Sequence, residues 1–234
     1  MNYGWIFMAL YKRQGSRPSS RRRNGKKQNG CLRRPYIPID PTDIGRTYDS
    51  DVIRVNSQSG KGGIAYILEQ SYGYSMPKKM RGHFRNLCKS ISDHEHRELK
   101  ADEILALFEN QYLNIPDAIS VTSFSFTREN DTVKTNITFK LNGVETTVHA
   151  EGNGSLSAIS NALKAYTGKK YVLQVFSQHS MQGKGSQSVA ASYIGLENEV
   201  GEMFWGAGTH TDVIRASTNA LLSAFHNMTV ANNR

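Results

Sequence analysis

Apolar residues in the first half of the chain recur every three to four positions, and from Ser120 onward they alternate. Ile64-Ala65-Tyr66-Ile67-Leu68 opens a short helix that should end near Tyr72-Gly73. Met76-Pro77 starts a second helix with Met80, Phe84, Leu87 and Ile91 near one face, and Lys100–Tyr112 a third with Ile104, Leu105, Leu107 and Phe108. Three short helices over about sixty residues approach the lower size limit for independent stability. Then the period becomes two. Val121, Phe124 and Phe126 predict a strand, Glu129-Asn130-Asp131 a turn, and Val133–Leu141 the next strand. Asn142-Gly143 is a strong two-residue hairpin signal, returning the chain along Val144–Ala150. A helix over 155–166 closes the unit.

The order then repeats. Tyr171–Ser177, Val189–Leu196 and Val200–Trp205 predict three strands, followed by a helix to about His226. Gly152-Asn153-Gly154-Ser155 is echoed by Gly206-Ala207-Gly208-Thr209, and Asn161-Ala162-Leu163 by Asn219-Ala220-Leu221. Each Gly-x-Gly is expected to open a helix, so the pair would create two helix N-termini favourable to an anion. The fold class is α+β: a small helical linker subdomain, then a duplicated βββα domain with pseudo-twofold symmetry. Two small mixed sheets cannot cover themselves, so helices should pack against strands and a symmetric partner against the remaining apolar faces.

Composition changes this picture at one end only. The formal charge is +9, but residues 1–34 hold ten Lys/Arg and no acidic residue, leaving 19 basic against 20 acidic residues in the remainder. That neutral remainder, without an aromatic-interleaved basic face, argues against the alternative of a nucleic-acid-binding protein. The leader itself reads as a disordered segment, a transit peptide or a nucleic-acid arm. Its apolar patch, Trp5–Leu10, is too short to span a membrane. Cys31 and Cys88 lack metal-ligand or redox spacing, so the expected location is the cytoplasm, with organelle import if the leader is a transit peptide. The expected organisation is a leader at 1–34, a proline-rich connector at 35–50, a helical linker at 51–117 and the duplicated, dimerising βββα domain at 118–234.

Three motifs read as structural. His94-Glu95-His96 carries a metal-like spacing but no strand alternation on either side, so a solvated loop is expected and no metal site is assigned. Ser57–Gly63 contains Gly60-Lys61 but lacks the first glycine and the Ser/Thr of a phosphate loop, and reads as a hinge. Glycines at 152, 154, 206 and 208 taken alone would only permit tight turns.

Pro35-Tyr36-Ile37-Pro38-Ile39-Asp40-Pro41 through Asp43-Ile44-Gly45-Arg46, and Val52-Ile53-Arg54-Val55-Asn56-Ser57-Gln58-Ser59-Gly60-Lys61-Gly62-Gly63-Ile64-Ala65-Tyr66, resemble 2-isopropylmalate synthase. Gly208-Thr209-His210-Thr211-Asp212 fits that family's C-terminal regulatory domain. Homocitrate and citramalate synthases share relatives of this tail, and a stand-alone amino-acid-binding module is a further reading. The resemblance implies a reaction condensing acetyl-CoA with 3-methyl-2-oxobutanoate, performed in a separate (β/α)₈ barrel with a divalent metal. No such barrel precedes Pro35, so the chain is expected to be a regulatory piece without catalytic residues, cofactor or activity of its own. It also implies leucine as feedback effector, held between the two units by Gly152, Asn153, Gly154, Leu156, Ser157, Leu173, Phe176, Ser180, Ala190 and Thr209. Tyr36 matches a connector tyrosine that reaches a neighbouring subunit. Leucine and a second copy of the chain are the expected partners, with no membrane and no nucleic acid.

Overall fold

The computed structural model describes residues 61–115, 119–181 and 188–231, all within one compact unit, Ile53–Arg234. Tyr36, the basic leader, the connector and residues 57–60 lie outside the described residues.

Three helices come first: α1 (Lys61–Tyr72), α2 (Lys78–Glu95) and α3 (Ala101–Tyr112). Gly73 ends α1 with φ +78°, a left-handed conformation that costs glycine nothing, and Pro77 stands at the N-cap of α2. Lys61, Gly62 and Gly63, expected in a hinge, form the first turn of α1. Met80, Phe84, Cys88 and Ser92 are the buried stripe of α2. Phe84, Phe108 and Tyr112 pack edge-on or tilted with centroids 5.8 to 5.9 Å apart. Burial holds the Cys88 thiol up at about 12, so it is a packed side chain and not a nucleophile.

Two βββα units follow. In the first, β1 (Ile119–Glu129), β2 (Thr132–Leu141) and β3 (Val144–Gly152) lead into α4 (Ser155–Thr167). In the second, β4 (Val172–Ser180), β5 (Ala190–Glu197) and β6 (Met203–His210) lead into α5 (Val213–Ala231). The sheets have order β1-β2-β3 and β4-β5-β6, and every pairing is antiparallel. The expectation of mixed sheets is corrected on this point, because tight hairpins join antiparallel neighbours. Leu113, just past α3, makes a parallel bridge to Ala207 of β6. Asn142 and Gly143 have φ +50° and +88°, as a two-residue hairpin with this twist requires.

Each unit carries a bulge in its first strand, between Val121 and Ser123 and between Leu173 and Val175. The bulge changes the phase of alternation, so Val121 and Phe124 face inward together, as do Leu173 and Phe176. α4 packs on β2 and β3, α5 packs on β5 and β6, and the two helices touch. Ile137, Phe139, Ile159, Leu163, Ile194, Leu196, Leu221 and Phe225 fill the common core between the sheets. The helical linker does not close a core of its own. Met80, Phe84, Phe108 and Tyr112 share one with Tyr193, Trp205 and Ala207 on the back of the second sheet.

Polar contacts fasten that junction. Asn114, at φ +46°, donates its backbone N–H to Ala207 O (2.9 Å) and its side-chain amide to Thr209 Oγ1 (3.0 Å), while accepting from Thr209 N (3.0 Å). Asn227 of α5 donates to both Gln111 O and Trp205 O at 2.8 Å.

The second Gly-x-Gly lies in the middle of β6, five residues before α5 begins at Val213. It does not open a helix, which corrects the expectation. A Cβ on Gly206 would stand 2.2 Å from Ala224 N, and one on Gly208 2.2 Å from Ala216 O. The glycines let α5 rest backbone to backbone on β6 through Ala216, Ala220 and Ala224. The true repeat spacing is that of the helices: Ser155 to Val213 and Asn161 to Asn219 are both 58 residues.

Gly208→Ala should therefore lower stability by about 1–3 kcal/mol through forced displacement of α5. Gly62→Ala meets nothing within 4 Å and should leave the thermal midpoint unchanged or slightly higher. Thermal unfolding of both variants checks the pair.

Candidate functional site

Because α5 sits on β5 and β6, the inner face of the edge strand β4 is left partly bare. Phe176 is 43% exposed there. A cavity of about 150 Å³ opens beside it, walled by Phe176 and Gln178 of β4, Ser155, Leu156 and Ile159 of α4, and Val213, Ile214 and Ser217 of α5. Pockets for drug-sized ligands start near ~300 Å³, so the space suits a small metabolite. The helical lining is itself duplicated: residues 155, 156 and 159 recur 58 positions later as 213, 214 and 217. The cavity thus lies where the first turns of α4 and α5 meet.

Those turns differ electrostatically. Gly154 is the N-cap of α4, no side chain caps the helix, and its first turn holds no acidic residue. Its N–H groups and the positive end of the helix dipole remain available to an anion. At α5 the Asp212 carboxylate already accepts from Ile214 N (2.7 Å) and Arg215 N (3.2 Å). The expected pair of anion-binding turns is therefore corrected to one, at α4. Gly154 is extended (φ −168°), and a Cβ there would meet nothing within 4 Å. At Gly152 a Cβ would press on Ala158 N at 2.5 Å, so this glycine seats the strand end against α4.

Of the residues assigned from the sequence, Leu156 and Phe176 line the cavity directly. Asn153 and Gly154 form the turn before α4, and Ser157 lies in its first turn with Oγ against Gly152. Leu173 pairs with Leu196 and packs against the common core on the same face as Phe176. Ser180 pairs with Ala190 beyond Gln178 on that face, and its hydroxyl meets Ser188 Oγ. Thr209 is elsewhere: Gly206 and Gly208 face α5, so Thr209 points to the opposite side, where Asn114 holds it. Ser155, Ile159, Gln178, Val213, Ile214 and Ser217 were not anticipated. The 58-residue spacing of the Asn-Ala-Leu triplets was the signal for the α5 contribution.

Ser217 donates to Val213 O (2.9 Å) and lies 3.1 Å from Ser192 Oγ, a buried hydroxyl pair behind the cavity. Burial pushes the Tyr171 phenol up to about 12 and raises that of Tyr193, so neither ionises near neutral pH. His94 and Glu95 occupy the exposed last turn of α2, with His96 its C-cap at φ +52°. The expected loop is thus a helix end. Among the described residues no group of three His, Cys, Asp or Glu side chains is placed to hold a metal. No helix among them is long and apolar enough to cross a membrane.

Paired antiparallel βββα units, with a cavity where the first turns of their helices meet, define an α+β class of domain. Residues 98–229 match the LeuA allosteric (dimerisation) domain, and residues 19–69 match the alpha-isopropylmalate synthase, post-catalytic domain-like family. The second match begins inside the stretch set apart as the basic leader. The chain is 45% identical over 194 residues to a 2-isopropylmalate synthase of Desulfitobacterium hafniense, covering 83% of the chain and 34% of that relative. It is 42% identical over 200 residues to a 2-isopropylmalate synthase of Helicobacter hepaticus, covering 82% of the chain and 36% of the relative. The chain belongs to the 2-isopropylmalate synthase family and carries its post-catalytic and allosteric (dimerisation) regions. It spans about a third of the length of the curated relatives it matches.

Asp212→Ala should cost about 1 kcal/mol by removing the cap of α5, with Asp212→Asn retaining most of it. Chemical denaturation of the three proteins measures the difference.

Proposed function

We propose that this chain is the leucine-sensing regulatory part of a 2-isopropylmalate synthase, in which leucine acts as feedback effector. The observation that carries the reading is the cavity, which joins an uncapped helix N-terminus to an apolar wall. The N–H groups at Gly154, Ser155 and Leu156 would receive the carboxylate without a Cβ at 154 in the way. Leu156, Ile159, Phe176 and Ile214 would surround the isobutyl group, and Gln178 stands within the lining as a polar contact for the head group. Leu173 supports Phe176 from behind. Thr209 and Asn114 would act at one remove, by fixing β6 against the helical linker. The acyl transfer itself belongs to a barrel and its metal elsewhere in the parent enzyme. The domain's dimerising role gives the effector a way to reach more than one subunit.

Calorimetric titration of the purified chain should give leucine binding, with valine weaker by about 1–3 kcal/mol for the missing methylene. Gly154→Val should retain the fold, since nothing in the chain occupies that space, and lose binding. His94→Ala should bind as wild type. A wild type indifferent to leucine, or a Gly154→Val protein that binds normally, would refute the site. Analytical ultracentrifugation at micromolar concentration should find a dimer, and a strictly monomeric mass would contradict the assembly.

A further inference from the structure

The cavity uses one turn of helix twice, yet its two helical walls are not alike. Residues 155, 156 and 159 of α4 are matched by 213, 214 and 217 of α5. Leu156 and Ile214 are both apolar, but the outer positions exchange character: Ser155 answers Val213, and Ile159 answers Ser217. Equal walls would let a bound molecule lie in either of two orientations. The exchange removes that freedom, and β4 removes it again by adding Phe176 and Gln178 from the second repeat alone. The helix starts differ in the same sense. At α4 no side chain caps the N–H groups, whereas the Asp212 carboxylate sits on Ile214 N and Arg215 N of α5. Arg215 itself is turned to the Phe124 ring, 5.5 Å from its centroid. The cavity therefore has a positive side at α4 and a side at α5 where a carboxylate offsets the helix dipole.

On the α5 side the hydroxyls leave little choice of partner. Ser192 of β5 and Ser217 of α5 are 0% and 5% exposed, and their Oγ atoms stand 3.1 Å apart. Ser217 uses its one hydrogen on Val213 O (2.9 Å), so toward Ser192 it accepts and Ser192 donates. Both protons are thus committed inside the protein. What Ser217 retains for the cavity is a lone pair. Gln178, paired across the strands with Ser192, adds an amide on the same side. A ligand group that donates satisfies the Ser217 oxygen, and one that presents only oxygen lone pairs leaves it unpaired.

We propose that Ser217, donating to Val213 O and accepting from Ser192, is a specificity-determining residue that takes a hydrogen bond from a ligand's α-ammonium group, so that the cavity holds an amino acid and rejects the 2-oxo acid with the same side chain. This rests on the reading of the cavity as a leucine site, and it adds the contact that tells the amino acid from its deaminated counterpart. The carboxylate goes to the N-terminus of α4 and the ammonium to Ser217 on the α5 side. Leu156, Ile159, Phe176 and Ile214 take the branched chain.

Calorimetric titration of the chain with leucine and with its 2-oxo counterpart, 4-methyl-2-oxopentanoate, tests this. Wild type should bind leucine at least about tenfold more tightly than the oxo acid, which leaves the Ser217 oxygen unpaired. Ser217→Ala should lower leucine affinity about tenfold and leave that of the oxo acid unchanged or higher, bringing the ratio toward one. Alanine is the better helix former, so thermal unfolding should find this variant folded. Ser217→Thr keeps a hydroxyl that can bond Val213 O as Thr218 bonds Ile214 O at 2.8 Å. It should keep the ratio even where the extra methyl weakens both ligands. If Ser217→Ala does not fold, the wild-type ratio and Ser217→Thr decide. A wild type that binds both acids alike, a Ser217→Ala protein that keeps the wild-type ratio, or a Ser217→Thr protein that loses it overturns this inference and leaves the proposed function standing. No leucine uptake by wild type overturns both.

Discussion

The contact on which the rest depends is the seating of α5 on β6 without side chains between them. Gly206 and Gly208 face Ala216, Ala220 and Ala224 so closely that any Cβ on the strand would meet helix backbone at 2.2 Å. The first unit has Val148 and Ala150 at the equivalent strand positions and Tyr166 where α5 has Ala224. Tyr166 stacks on Phe139 at 4.9 Å. The two helices thus stand at different heights over nominally equivalent sheets. Like α4 on β2 and β3, α5 covers the second and third strands of its sheet and leaves the first, β4, partly bare beside the cavity.

That difference explains why a duplicated sequence makes an asymmetric molecule. The second sheet is covered on both faces, by α5 in front and by α1, α2 and α3 behind. Among the described residues the first sheet has only α4 and the common core behind it, and its other face carries Lys134, Asn136, Thr138 and Lys140 toward solvent. The helical linker is stable because it borrows Tyr193, Trp205 and Ala207 to finish its interior. Fixing it there are two asparagine side chains, at 114 and 227, that satisfy backbone groups left over at the end of α3 and along β6.

Periodicity alone made the helices, both hairpins and the βββα order readable, and Tyr72-Gly73, Pro77 and Asn142-Gly143 fixed their punctuation. The register between repeats was misread. Matching Gly152-x-Gly154 to Gly206-x-Gly208 offsets the copies by 54 residues, whereas the Asn-Ala-Leu triplets and the helix starts require 58. A glycine that makes a turn and a glycine that admits a helix look the same in sequence, since both are selected for a missing Cβ. The misreading hid Asp212, a conventional cap two residues before Ile214, and with it the unequal helix ends. Thr209 is named with the cavity residues by the resemblance alone, and its place on the far face of β6 shows only once the strand is set at Met203–His210. Gln178 lies just past Ser177, where the expected strand ends, whereas β4 continues to Ser180.

Burial of β5 on both faces sets a gradient of local stability across the second sheet. Ala191 through Leu196 cannot exchange their amides without opening either the repeat core or the linker core, so this strand should report the global unfolding free energy. β4, by contrast, has one free edge and alternate residues in water. Leu173, Val175 and His179 tie β4 to the two cores, while Phe176 and Gln178 on the cavity side have no helix packed over them. The rigid strand holds the frame beside an edge that opens at lower cost.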